Sequence, residues 1–335
     1  MPIPPALRDR HAQVALAVAA VLLVAVLWGV GRFVGWDMVA ATARDIPPLA
    51  WAGFAALLLV SYLARAVRLW RLLHDVDPRM RLARATPVFL VHNALATFVP
   101  ARLGEATMPL LARRWLDLDW AATVGALAWW RTSDLAVVAA VALALLASGA
   151  TVLAPLYALA LAACAVPVVV VMLRGALLRF VEAHARREGG EARWARLVRR
   201  VLGGMPARLG AVMADLSLAL ASWTSKLGGF ALLMQGALRA AAEPAPPLPL
   251  LAAAGLAGDA GGALPLPTVG GVGPFEAGIV LGLGALGIDA RSALAIGVTL
   301  HGAVLLSIVA TGLGGLAMGL ALAQHDHRAA SSSAR

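Results

Sequence analysis

Charge is scarce in this sequence: Asp, Glu, Lys and Arg make up 14% of its 335 residues, against 61% hydrophobic, and mean hydropathy is +0.82. Soluble globular domains carry about 25% charged residues, so a soluble enzyme or binding module is excluded and a polytopic membrane protein remains. Cysteine is almost missing. Cys164 alone, set in an apolar run, excludes a disulfide framework and a thiolate metal cluster. The seven histidines lack zinc-type spacing outside His325-Asp326-His327, which reads as a solvated tail, so neither metal nor cofactor is expected. No activated nucleophile stands within reach of a base; His92 and His301 are isolated in apolar stretches, so the chain is expected not to be an enzyme. Acids are outnumbered, 18 to 28, giving a net charge of +10. The arginines fall in short segments between apolar runs, as the positive-inside rule requires, and not on a soluble nucleic-acid-binding face.

What is there is a succession of apolar runs. Residues 12–30 follow a short polar start and are followed by no small-residue cleavage site, so they read as an anchor and not a signal peptide. A polar link carries Arg32, Asp37, Arg44 and Asp45, and a second span covers 48–69. Its end bears Arg65, Arg68 and Arg71, which read either as snorkelling side chains or as a collar that gathers anionic headgroups. The next stretch, 85–111, is interrupted by Pro87, Asn93, Pro100, Gly104 and Pro109 and followed by Arg113 and Arg114. A full crossing would put those arginines outside, so a re-entrant pair of short helices is expected, with its tip at Pro100-Ala101-Arg102-Leu103-Gly104-Glu105. Residues 120–148 and 152–173 are full spans joined at Gly149-Ala150, the first holding Arg131 and Asp134 at a spacing that lets them pair.

Residues 174–210 form a basic connector containing an amphipathic segment, in which Leu197, Val198 and Val201 alternate with Arg196, Arg199 and Arg200. The span 212–238 carries Lys226 near its centre, where a lysine needs a cavity or a carboxylate partner. Residues 248–287 are broken by Pro265-Leu266-Pro267-Thr268-Val269-Gly270-Gly271-Val272-Gly273-Pro274-Phe275-Glu276 and read as a second re-entrant pair; 293–323 is the last span. The expected fold is therefore all-α: a single integral membrane domain over 1–335, with about six full spans and two re-entrant pairs, both termini cytoplasmic. The first half (12–173) enters its break from inside and the second (211–323) from outside. Such an inverted repeat of broken helices points to a transport site near the midplane.

These residues resemble the membrane region of the lysylphosphatidylglycerol synthase family. The resemblance rests on Arg65-Ala66-Val67-Arg68-Leu69-Trp70-Arg71, on Asn93 with Pro100 to Glu105, on Arg131 with Asp134, and on Gly270-Gly271-Val272-Gly273-Pro274-Phe275-Glu276. Ala101, Thr268-Val269 and Lys226 depart from the family's usual residues. The resemblance covers about residues 12 to 320 and implies a flippase-like module without the aminoacyl-transferase domain. The leading expectation is a translocator of a phospholipid or lipid-linked glycan in a bacterial inner membrane. In that reading Arg102 and Arg131 attract phosphate, Glu105, Asp134 and Glu276 balance charge or take up protons, Gly270, Gly271 and Gly273 bring backbone N–H groups to the headgroup, and Gly104, Asn93 and Lys226 complete the site. The alternative is a non-transporting accessory subunit for a glycosyltransferase or lipid-export system. Expected partners are the lipid, a lipid-modifying enzyme and a second copy of the chain, but no nucleic acid.

Overall fold

The computed structural model describes residues 10–147, 154–187 and 193–333, with side chains described between 17 and 324 apart from 101–102, 146–161, 163–164 and 186–192. Among these residues the fold is all-α, with twelve α-helices and no strand. They are α1 (Arg10–Phe33), α2 (Trp36–Asp45), α3 (Pro48–Val76), α4 (Leu82–Phe98), α5 (Thr107–Leu116), α6 (Trp120–Ala147), α7 (Ala154–Arg187), α8 (Arg193–Gly203), α9 (Leu209–Ala240), α10 (Leu248–Gly262), α11 (Pro274–Gly284) and α12 (Ala290–Ser333). A 3-10 turn, Pro100–Ala106, links α4 to α5.

Among the described residues four helices, α3, α6, α9 and α12, are long and apolar enough to cross a membrane; α1 and α2 add a fifth if the pair, bent by 79°, counts as one span. The bend falls at Gly35, whose φ of +88° suits a residue without Cβ. The link expected at 32–45 is thus largely helical. The span expected at 152–173 overlaps α7, and most of that span's side chains lie outside the described residues, as does the Gly149-Ala150 turn. At the start of α12, Asp289 accepts the N–H groups of Arg291 and Ser292 at 2.8 and 3.0 Å. The Ser292 hydrogen bond, followed by those backbone bonds, holds the Asp289 carboxyl below the usual carboxylate range.

The chain forms two compact units. One comprises residues up to Leu58, Asn93–Glu105 and Ser225–Ala310; the other comprises Leu59–His92, Ala106–Thr224 and Thr311 onward. Each draws on both sequence halves, so the division does not follow the halves read from hydropathy. In the first unit α10 and α11 form a tight antiparallel hairpin: Gly261 faces the carbonyl of Pro274, Gly278 that of Ala257, and Gly282 packs on Ala254. A ladder of rings, Trp51, Phe54, Phe230, Phe275 and His301, ties α3, α9, α11 and α12 to this hairpin at centroid spacings of 6.2, 6.4, 6.2 and 4.2 Å. In the second unit α8 presses against α6 through Gly125 and Gly204, burying Ala195 and Leu202, while Leu197 stays 49% exposed. The buried stripe of α8 is therefore rotated from the one the connector's pattern suggested.

A Cβ at Gly278 would overlap the Ala257 carbonyl oxygen, which belongs to a helix and cannot yield. Gly278→Ala is expected to destabilise the protein by roughly 1–3 kcal/mol. Gly302→Ala, where nothing lies within 4 Å, should leave the detergent-solubilised protein's thermal unfolding midpoint unchanged or slightly raised.

Candidate functional site

The 265–276 break closes on itself through two side chains. Gly273, with φ of +98°, precedes Pro274 at the first position of α11. Its N–H donates to Glu276 Oε2 at 2.6 Å, and Glu276 Oε1 lies 2.6 Å from His301 Nδ1 on α12. His301 Nε2 meets the Gly270 carbonyl at 3.0 Å. A carbonyl only accepts, so Nε2 carries a hydrogen, and the short contact on the other ring nitrogen then requires one proton between Nδ1 and Oε1. Glu276 is 5% exposed and His301 4%, so the pair sits almost out of reach of solvent. Phe275 stacks on the imidazole at 4.2 Å.

The other break belongs to the same unit. The chain doubles back there: Gly104 sits against the Leu95 carbonyl, where any Cβ would clash. The two breaks face each other across a cavity of about 180 Å³, with Ala96, Thr97, Val99 and Glu105 on one side and Gly262, Leu264, Leu266, Thr268, Gly270 and Gly271 on the other. Phe98 approaches Gly270 directly. The cavity wall therefore includes the residue whose carbonyl His301 holds. Asn93 lies on α4, its carbonyl accepting the Thr97 hydroxyl at 2.8 Å. Arg102 has its backbone in the 3-10 turn, and its side chain lies outside the described residues. In the same unit Lys226 Nζ reaches Asp259 at 2.6 Å and lies 5.3 Å from the Phe230 ring, so the carboxylate that a mid-span lysine requires comes from α10.

The second unit contains a different cluster. Arg68, 1% exposed, donates to Asp215 through Nε at 2.7 Å and Nη2 at 3.3 Å, to Asp134 through Nη1, and to Ser133 and the Trp130 carbonyl. Trp129 Nε1 donates to Asp215 at 2.9 Å and Trp223 Nε1 to Asp134 at 3.3 Å. Two carboxylates around one guanidinium leave a negative charge, and Arg131, 3.8 Å from Asp134, offsets it from a position 46% exposed.

Several expectations are corrected here. Arg68 is not part of a headgroup collar but a buried ion-pair centre, and Arg65 donates to Ser222 at 2.7 Å beneath Trp223; Arg71 alone of the three is exposed. Each step of three residues rotates a helix position by roughly 60°, so the three arginines fan over a wide arc instead of sharing one face. Asp134 has Arg68, not Arg131, as its main partner. Glu276 has His301 as its partner. Neither histidine is isolated, since His92 Nδ1 lies 2.9 Å from the Thr107 hydroxyl. The sequence reading passed over Asp215, Asp259 and His301 as members of these clusters. Each is an ionisable residue in an apolar helix, and that rarity alone was a usable signal. Among the described residues no group of three or more His, Cys, Asp or Glu side chains is arranged to hold a metal ion.

Residues 13–312 match the family described as Lysylphosphatidylglycerol synthase TM region. No curated protein and no solved structure gave a match.

Removing Arg68 strands two buried carboxylates. Arg68→Met is expected to cost about 3–5 kcal/mol, read as loss of monodisperse protein or a lowered unfolding midpoint. The triple change Arg68→Met with Asp134→Asn and Asp215→Asn should recover most of that loss; equal damage in single and triple variants would refute the ion-pair account.

Proposed function

The chain belongs to the family of lysylphosphatidylglycerol synthase membrane regions, and from that membership we propose that it is a multi-pass translocator of a phospholipid or lipid-linked glycan in a bacterial inner membrane. The observation that carries the reading is the cavity between two helix breaks, bordered by Glu105 and by the loop that Glu276 and His301 hold. Irregular backbone at membrane depth is tolerated where it lines a cavity, and paired broken helices are where transporters place their substrates. In this reading the arrangement is an inverted repeat of two re-entrant pairs among about six spans, with both termini cytoplasmic. Arg102, on the same turn as Glu105, draws the phosphate in; Glu105 and Glu276 balance charge; the left-handed glycines Gly270 and Gly271 let backbone approach the headgroup. Arg131 and Asp134 contribute through the charge balance of the buried Arg68 cluster, and Lys226 through its pair with Asp259. The protein moves its substrate without breaking a bond in it.

A second reading has one observation in its favour. The basic helix α8 exposes Trp194 and Leu197 at 40% and 49%, a surface on which a lipid-modifying enzyme or glycosyltransferase could dock onto a non-transporting accessory subunit.

Lipid scrambling in proteoliposomes separates the two. The charge on a hydrogen-bonding group is worth roughly 1.5–3 kcal/mol, so Arg102→Ala and Glu276→Gln, which each remove one, are expected to slow flipping about ten- to hundred-fold with folded protein retained. Unchanged flipping in both variants would remove the translocation site as drawn, and no flipping by the wild type, together with co-purification of an enzyme through α8, would favour the accessory reading.

A further inference from the structure

The second unit contains a larger cavity, about 540 Å³, remote in sequence from both helix breaks. It lies where apolar stretches give way to arginine: the end of α3, the middle of α7, the end of α8 and the start of α9. Arg71, His74, Arg174 and Arg208 line it, with Asp75 as the only acid among its lining residues. The cavity therefore carries net positive charge. Its walls are fixed. Arg174 donates through Nε to the Leu202 carbonyl at 2.9 Å, and Gly204 lies tight against the Ala122 carbonyl. His74 is anchored to the Met80 carbonyl at 3.3 Å.

The long helix α9 begins at this cavity: Ala211 and Val212 donate back to the Arg208 carbonyl, so the N–H groups of Leu209 and Gly210 precede the first helical bonds. A helix start adds partial positive charge to that of the guanidinium groups. Arginine's planar fork suits phosphate oxygens, which it can engage two at a time. Exposed apolar side chains flank the charged wall: Met172 and Leu173 on α7 at 75% and 59%, and Leu209 and Met213 on α9 at 62% and 52%. A ligand with a phosphate and an acyl portion meets both.

We propose that this cavity is a binding site for a phosphate ester, placed at headgroup level and separate from the cavity between the helix breaks. Phosphate chemistry is shared by an anionic lipid headgroup and a free phosphate ester, and the test distinguishes the two sources. Its outcome does not depend on transport, so the translocation reading stands or falls separately.

The full chain is placed in phosphatidylcholine nanodiscs and its thermal unfolding followed by tryptophan fluorescence. Two probes are compared: phosphatidylglycerol mixed into the disc, and soluble glycerol phosphate added to pure phosphatidylcholine discs. The site predicts an upward shift of about 2–4 °C with at least one probe, abolished in Arg71→Gln/Arg208→Gln. Both positions are exposed, so the variant should unfold like wild type without probe. Arg113→Gln/Arg193→Gln, which removes the same charge outside the cavity, should retain the shift. A shift with phosphatidylglycerol alone assigns the site to lipid; a shift with glycerol phosphate assigns it to a free ester. No shift with either probe, or equal shifts in the two double variants, would overturn the proposal.

Discussion

A charge inside a membrane protein must find its complement within the protein, and in this chain that requirement fixes which helices meet. Stripping an ion of water costs several kcal/mol even after relaxation. The answer is a set of matched partners: Arg68 with Asp134 and Asp215, Lys226 with Asp259, Glu276 with His301. Each ties one helix to another, whether adjacent in the chain or distant from it. Lys226 binds α9 to α10, His301 binds α12 to α11, and Arg68 gathers α3, α6 and α9. Apolar packing alone selects poorly among such pairings, because lipid is as good a neighbour for leucine as another helix is. The pairs supply the selection.

The second constraint is backbone. Where a helix stops at membrane depth, its N–H and C=O groups lose their partners, and unsatisfied groups there are costly. At the 265–276 break the same residues meet both needs. Glu276 accepts the Gly273 N–H while it pairs with His301, and His301 donates to the Gly270 carbonyl. Charge compensation and loop conformation are therefore one event. Positive φ at Gly270, Gly271 and Gly273 lets the loop turn back without a Cβ penalty.

This division of labour explains what could be read from the sequence. The breaks, the helix class, the approximate edges of most spans and the demand of Lys226 for a carboxylate all follow from local pattern, because hydropathy, proline and glycine act on neighbouring residues. The network around Arg68 does not. Arg68 and Asp215 are 147 positions apart, and nothing in either neighbourhood names the other. Arg65, Arg68 and Arg71 do not form one collar, because three-residue steps turn around the helix and carry the middle one inward. His301 stands isolated in its apolar stretch, and its acid lies on the preceding helix, 25 positions away.

The latch at the break also limits what that loop can do. Its geometry admits one proton between Nδ1 and Oε1, and without it two lone pairs would face each other at 2.6 Å in a nearly dry site. The imidazole also holds the Gly270 carbonyl, which belongs to the wall of the cavity facing Glu105. Glu276→Gln keeps a side chain of the same length that can still accept from the Gly273 N–H and donate to Nδ1, but it cannot carry charge. The substitution therefore keeps the loop's hydrogen bonds while removing the carboxylate, which separates the loop's shape from its charge in a way that truncating either residue does not.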